Sequence, residues 1–67
     1  MTPDQLARAR KRLGLTLEQM ATMLGYEGVN AKSQAQHMEN GRRPIMPAQQ
    51  RLIEAYLAGY RPKDWPT

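Results

Sequence analysis

Signals that start and stop helices recur so closely along this chain that it can form only short helices. The segment TPDQ at positions 2–5 combines a threonine cap, a first-turn proline and a capping-box glutamine, and TLEQ at positions 16–19 repeats the capping box. Gly14 and Gly25 follow as helix ends. The pattern predicts a first helix over Pro3–Leu13 and a second, shorter helix after it.

The second half of the chain carries the signals of two more helices and a tail. Asn30 is placed to cap a third helix that runs to about Asn40. Pro47 then opens a fourth helix, which Gly59 ends. The predicted fold is therefore all-α: a compact bundle of four to five helices over residues 1–59, followed by a short extended tail over residues 60–67.

The fourth helix has more apolar positions than one side of a helix needs. Helical spacing predicts that five residues face the core: Ile45, Ala48, Leu52, Ala55 and Tyr56. A chain of 67 residues without cysteine buries only ~60% of its unfolded surface, so a second subunit is expected to complete the core. The predicted homodimer interface comprises a second apolar edge and the tail tryptophan: Ile53, Leu57, Tyr60 and Trp65. Trp65 has two other interpretations, packing over its own helices or an unattached tail.

The third predicted helix divides into two contrasting faces. Ala31, Ala35 and Met38 share a small apolar side. The opposite side consists of polar residues with almost no charge: Ser33, Gln36, His37 and Asn40. Neutral donors and acceptors of this kind read base edges in DNA, whereas an ordinary solvated helix face more often mixes charges. Both interpretations remain open from periodicity alone.

Basic residues accompany this helix. Gly41 ends it as a left-handed cap, and Arg42 and Arg43 follow directly, where guanidinium groups can bind phosphates. Ten Lys and Arg against six Asp and Glu give the chain a net charge of +4, which favours a polyanionic partner. The sequence therefore places predicted base contacts and phosphate contacts next to each other.

Three segments resemble the Cro and phage-repressor type of helix-turn-helix domain, the XRE type. They are LGLT at positions 13–16, MA with LG at positions 20–25, and MENGRRP at positions 38–44. The resemblance spans most of residues 3–58. It implies that the second and third helices form the helix-turn-helix and that the third enters the major groove. It also implies a salt bridge between Arg10 and Glu39.

The resemblance and the side-chain chemistry together give the predicted DNA contacts. The base-contacting residues are predicted to be Asn30, Lys32, Ser33, Gln34, Gln36 and His37. The phosphate-contacting residues are predicted to be Thr16, Asn40, Arg42 and Arg43. Thr16 is included because Leu17 stands where the family often has a phosphate-binding glutamine.

The connection between the second and third helices departs from the family. Residues 26–30, YEGVN, make it longer than in most members. The sequence leaves two alternatives: the extra residues form a surface loop, or they extend the third helix at its N-terminus. The choice decides how far Asn30 and Lys32 reach toward a groove.

These observations predict a sequence-specific, double-stranded DNA-binding repressor that acts as a homodimer on a palindromic operator. Negative autoregulation suits a regulator of this size, and the class includes phage and mobile-element autorepressors and anti-CRISPR-associated regulators. No residue decides among them. The alternative is an antitoxin-like interaction protein that neutralises a partner protein, with DNA binding secondary.

Other classes of function have little support in the sequence. No cysteine, a single histidine and no clustered carboxylates leave the chain without a plausible catalytic pair, so we expect no enzyme activity. We likewise expect no cofactor, metal or small-molecule ligand. No apolar run approaches the ~18 residues of a membrane span. The expected location is the bacterial cytoplasm or nucleoid.

Overall fold

Four helices account for most of residues 1–66, the part of the chain that the computed structural model describes. They are α1 (Pro3–Leu13), α2 (Leu17–Met23), α3 (Ala31–Glu39) and α4 (Pro47–Leu57). No strand occurs within residues 1–66, so the prediction of an all-α fold is confirmed. Thr67, the last residue of the predicted tail, lies outside the described residues.

Reciprocal capping boxes start α1 and α2, as the sequence predicts. The Thr2 hydroxyl accepts a hydrogen bond from the Gln5 N–H at 3.1 Å, and the Gln5 side chain accepts one from the Thr2 N–H at 2.9 Å. Thr16 and Gln19 repeat the arrangement at 3.1 and 2.9 Å. Because each box satisfies two backbone groups that a helix start leaves unpaired, even the two turns of α2 are well defined.

The core is built where all four helices meet. Each helix contributes one large side chain with no exposed surface, and these are Leu6, Met20, Met38 and Ile53. Leu15, in the turn between α1 and α2, is also buried beside them. Burying a side chain of this size stabilises the fold by roughly 1.5–3 kcal/mol, so the helices hold one another in place.

The orientation of α4 differs from the sequence prediction. The sequence predicts Ile53 on the apolar edge of the dimer interface, but it is 0% exposed and packs in the core of its own subunit. Ala48, expected in the core, is exposed, whereas Leu52 is half-buried against the core. The reason is that α4 has apolar residues on more than half of its circumference, so spacing alone does not fix its rotation. Ile53 therefore has no surface to offer a partner subunit.

Tyr56 fixes the rotation of α4 and anchors the tail. Its hydroxyl donates a buried hydrogen bond to the Met23 carbonyl at 3.0 Å, which ties α4 to the end of α2. The Trp65 ring packs edge-on against Tyr56, with ring centroids 5.0 Å apart. The Arg61 guanidinium lies 4.3 Å from the Trp65 ring centroid and donates to the Tyr56 carbonyl at 2.7 Å. The tail thus packs on its own domain at Trp65.

We predict that Tyr56→Phe destabilises the domain by about 1–3 kcal/mol, because the Met23 carbonyl loses its donor in a buried position. Urea unfolding at neutral pH measures this loss. Burial raises the pKa of Tyr56 above 10.0, its ordinary value, with the negative charge of Asp64 and the nearby Tyr60 adding to the effect. The unfolded chain therefore ionises this tyrosine at lower pH than the folded chain.

The same variant tests the pH dependence of stability. The contribution of Tyr56 is complete below pH 10 and falls as the pH rises from there through the folded-state pKa. The stability difference between the wild type and Tyr56→Phe should therefore shrink above pH 10. A difference that stays constant across that range would contradict the assigned environment of the hydroxyl.

Candidate nucleic-acid interface

Small side chains set the distance between α2 and α3. Ala21 on α2 and Ala31 and Ala35 on α3 form a buried cluster, with Leu17 and Tyr26 packed beside it. Alanines allow two helix backbones to approach closely, because no long side chain separates them. The buried side of α3 is therefore the small apolar face that the sequence indicates, and the opposite face of α3 points away from the core.

The predicted base-contacting residues lie on or beside this outward face with different accessibility. Asn30, Lys32, Ser33 and Gln36 are exposed. Gln34 and His37 are half-buried at the border with the core. The outward face is thus polar and carries one positive charge, on Lys32. Such a surface offers hydrogen-bond donors and acceptors without requiring a charged partner.

The extra residues between α2 and α3 form a loop and do not extend α3. Gly28 adopts a left-handed conformation with φ 85°, and its carbonyl accepts a hydrogen bond from the Ala31 N–H at 3.2 Å. Asn30 sits just before α3, but its side chain makes no capping hydrogen bond within residues 1–66. Its backbone (φ −94°, ψ 1°) lies outside the extended region from which a capping side chain reaches back.

The end of α3 directs two arginines past the helix. Gly41 takes φ 84°, and the N–H groups of Arg42 and Arg43 both donate to the His37 carbonyl, at 2.9 and 3.1 Å. The Asn40 side-chain oxygen accepts a further hydrogen bond from the Arg42 N–H at 3.1 Å. The amide nitrogen of Asn40 can still donate to a phosphate oxygen. Asn40 and both arginines are exposed and adjacent.

Tyr26 is a residue of this surface whose role the sequence analysis missed. Its hydroxyl accepts hydrogen bonds from Arg43 Nε at 2.9 Å and from the Gln49 amide at 3.0 Å. The Arg43 guanidinium also lies 5.2 Å from the Tyr26 ring centroid. The loop, the start of α4 and Arg43 are therefore linked. One aromatic residue in a short glycine-containing connection is the sequence signal that indicates such a contact.

An ion pair joins α1 to the end of α3, between the residues that the family resemblance pairs. Arg10 Nε lies 2.7 Å from Glu39 Oε2, and Arg10 Nη2 lies 3.3 Å from Oε1. A third donor of the same guanidinium binds the Leu15 carbonyl at 3.0 Å. The side chains are 17% and 13% exposed. Arg10 thus connects α1, the turn before α2 and the last turn of α3.

Thr16 lies in a different electrostatic setting from the arginines. It lines a cleft of about 310 Å³ between α2 and the tail, together with Glu18, Gln19, Thr22, Met23, Asp64 and Pro66. Two of these residues are carboxylates, which disfavour an approaching phosphate. The Thr16 hydroxyl accepts from the Gln19 N–H and keeps its own proton to donate. The phosphate contact predicted for Thr16 is therefore electrostatically less favourable than those predicted for Arg42 and Arg43.

Residues 1–66 contain neither a membrane-spanning helix nor a metal-binding cluster. None of the helices there is long and apolar enough to cross a membrane. No group of three or more His, Asp or Glu side chains in that range is arranged to hold a metal ion.

Comparison with known proteins gives one match. A family model described as helix-turn-helix matches residues 6–62, which is most of the chain and includes all of α2, α3 and α4. Comparison with curated proteins found no match, and neither did comparison with solved structures.

We predict that Glu39→Gln lowers the free energy of unfolding by about 1.5–3 kcal/mol, because the Arg10 guanidinium then lacks its charged partner in a mostly buried position. Glu27→Gln, in the exposed loop, is the matched control and should change stability by less than about 0.5 kcal/mol. Urea unfolding of the three proteins makes the comparison. Equal losses from both substitutions would remove the structural role assigned to this ion pair.

Proposed function

Because this chain belongs to the XRE-type helix-turn-helix family of DNA-binding regulators, we propose that it is a sequence-specific transcriptional repressor. The observation that carries the proposal is the outward face of α3. Ser33 and Gln36 are exposed there, on a helix held rigidly by its buried alanines and by the Arg10–Glu39 ion pair. A rigid helix with a polar outer face is suited to reading base edges.

In the proposed complex, the N-terminal half of α3 enters the major groove. Gln36 has the geometry to bind an adenine edge through two hydrogen bonds, and Lys32 has the donor that suits guanine. Ser33 lies one turn before Gln36 on the same side of the helix. Asn30 is exposed at the N-terminal end of α3. Gln34 and His37 are half-buried, so only the exposed part of each side chain contacts bases.

Phosphate contacts fix the register of α3 in the groove. Arg42 and the amide nitrogen of Asn40 supply the strongest donors at the C-terminal end of α3. Arg43 contributes its terminal nitrogens, because its Nε already donates to Tyr26. Thr16, at the start of α2, binds the DNA phosphate backbone despite the repulsion from the two carboxylates of the neighbouring cleft. The net charge of +4 favours this arrangement on a polyanion.

A homodimer completes the proposed repressor. Leu57 and Tyr60 are exposed apolar residues at the end of α4, and Tyr60 stacks on Tyr56, with centroids 6.0 Å apart. A two-fold dimer through this edge, beside the anchored Trp65, would present two copies of α3 to one face of the duplex. Half-sites of an inverted repeat would then lie about one helical turn apart, ~34 Å.

Repression follows if the bound dimer occupies promoter DNA. Control of its own promoter would make expression respond to protein concentration and operator affinity. Regulators of phages and mobile elements, including anti-CRISPR-associated ones, are the proposed biological setting. Transcription from a reporter that carries the DNA upstream of the protein's own gene tests whether the protein represses its own promoter.

The exposed edge of Leu57 and Tyr60 also favours a second candidate function. An antitoxin-like protein would use this edge to bind and neutralise a different protein, with DNA binding secondary. The candidates differ in what the edge binds. Sedimentation of the purified chain as a dimer supports the repressor, while a monomer that selects no DNA sequence supports the antitoxin-like function.

We predict that Gln36→Ala reduces discrimination between operator and random DNA by ~1–3 kcal/mol, because a base contact is lost while phosphate contacts remain. Arg42→Ala should weaken binding to both DNAs about equally and reduce the salt slope by about one unit. Titrations at two salt concentrations, with random DNA as competitor, measure both effects. The same loss of discrimination from both variants would contradict the assigned roles.

We predict that Leu57→Glu shifts the purified protein toward the monomer by roughly tenfold or more, because the charge would be buried in the interface. Ala48→Glu is the matched control. Ala48 is exposed on α4 and lies nine residues before Leu57, which places it on the opposite side of the helix. Sedimentation equilibrium at several concentrations compares them. Equal effects of the two substitutions would exclude this edge as the dimer interface.

A further inference from the structure

Val29 is an exposed apolar residue just before the N-terminus of α3. Its side chain is 98% exposed, more than any other large apolar side chain described as exposed. It lies in the turn that the hydrogen bond from the Ala31 N–H to the Gly28 carbonyl closes. Isolated exposed apolar residues are common on protein surfaces, so exposure alone carries no function. The residue type and its position next to α3 are more informative about function than its exposure.

The turn itself gives no reason for a valine. Tight turns favour glycine, asparagine, aspartate and serine, because these adopt unusual backbone angles or bond to nearby backbone groups. Gly28 supplies the left-handed angle in this turn, and Asn30 is a favoured polar residue. A branched aliphatic side chain brings neither property and buries almost no surface here. The core and the local backbone thus leave the valine unexplained.

The position of Val29 continues the outward face of α3. Val29 precedes Ser33 by four residues and Gln36 by seven, which is the spacing of neighbours along one side of a helix. Asn30, the last residue of the turn before α3, has φ −94° and ψ 1°, which is close to helical backbone geometry. Val29 lies outside α3, but this spacing and the near-helical angles of Asn30 put it near the N-terminal end of the row of Ser33 and Gln36, the end that enters the groove in the proposed complex.

The chemistry of the groove then limits what Val29 can contact. The apolar group that base edges expose in the major groove is the methyl on C5 of thymine, which 5-methylcytosine also carries. We propose that Val29 recognises the C5-methyl group of a pyrimidine next to the base pairs read by Ser33 and Gln36. Base readout then begins in the loop before α3. This inference rests on the proposed DNA-binding function.

Replacement of individual methyl groups in the DNA tests the contact. Selection from a random duplex pool with the wild-type protein first supplies a preferred sequence. Each thymine of that sequence is then replaced singly by uracil, and each cytosine by 5-methylcytosine, and binding is titrated for the wild type and for Val29→Ala. At one thymine, loss of the methyl should weaken wild-type binding roughly three- to tenfold and leave Val29→Ala unaffected.

Two further variants separate this contact from general damage. Val29→Ile keeps an apolar side chain and should keep the sensitivity to the methyl group. Gln36→Ala should weaken binding overall and yet respond to the same thymine replacement as the wild type, because Gln36 contacts a different base pair. Thermal unfolding should show equal stability for the wild type and Val29→Ala, since the side chain is exposed.

The outcomes distinguish the inference from the proposed function. Coupling at a thymine assigns the contact to thymine, and tighter wild-type binding at a 5-methylcytosine that Val29→Ala loses assigns it to the methylated base. A preferred sequence without coupling at any position overturns the role of Val29 and leaves the repressor proposal standing. Failure to select any sequence over random DNA overturns both.

Discussion

The ion pair between Arg10 and Glu39 is the interaction on which the orientation of α3 depends. Two nitrogens of one guanidinium bind the carboxylate, and a third binds the carbonyl of Leu15, so one side chain joins three parts of the domain. Mostly buried charges are costly unless they are paired and fully hydrogen-bonded. Here the two charges are paired and each nitrogen of the guanidinium has an acceptor, which holds the last turn of α3 just before the segment that carries Arg42 and Arg43.

Packing holds the other end of α3. The alanine cluster brings α2 and α3 close together, and the loop of residues 26–30 spans the distance without lengthening the helix. Tyr26 links that loop to Arg43 and Gln49. Arg43, which is proposed to contact DNA phosphates, is therefore oriented by the loop residue Tyr26. The loop would serve the proposed DNA surface at two points, through Tyr26 at its start and through Val29 near its end.

The C-terminal part of the chain depends on Tyr56. Its hydroxyl binds the Met23 carbonyl, its ring meets Trp65 edge-on, and its carbonyl accepts from Arg61. These contacts hold the tail on the same domain and leave Leu57 and Tyr60 as the exposed apolar edge. Because Ile53 fills the core and does not join that edge, the proposed dimer surface is smaller than the sequence suggests and lies nearer the end of α4.

The sequence by itself determined where α1, α2 and α4 start and which side of α3 is buried. Capping boxes and glycine ends act over three or four residues, so they can be recognised without knowledge of the fold. The apolar residues of α3 all lie on one side of the helix, so only that side can be buried. The family segments add the pairing of Arg10 with Glu39. Tertiary structure alone decided the rotation of α4, the loop before α3 and the partner of Arg43. These depend on contacts between residues far apart in the chain, such as Tyr56 with Met23 and Arg43 with Tyr26, which local spacing does not encode.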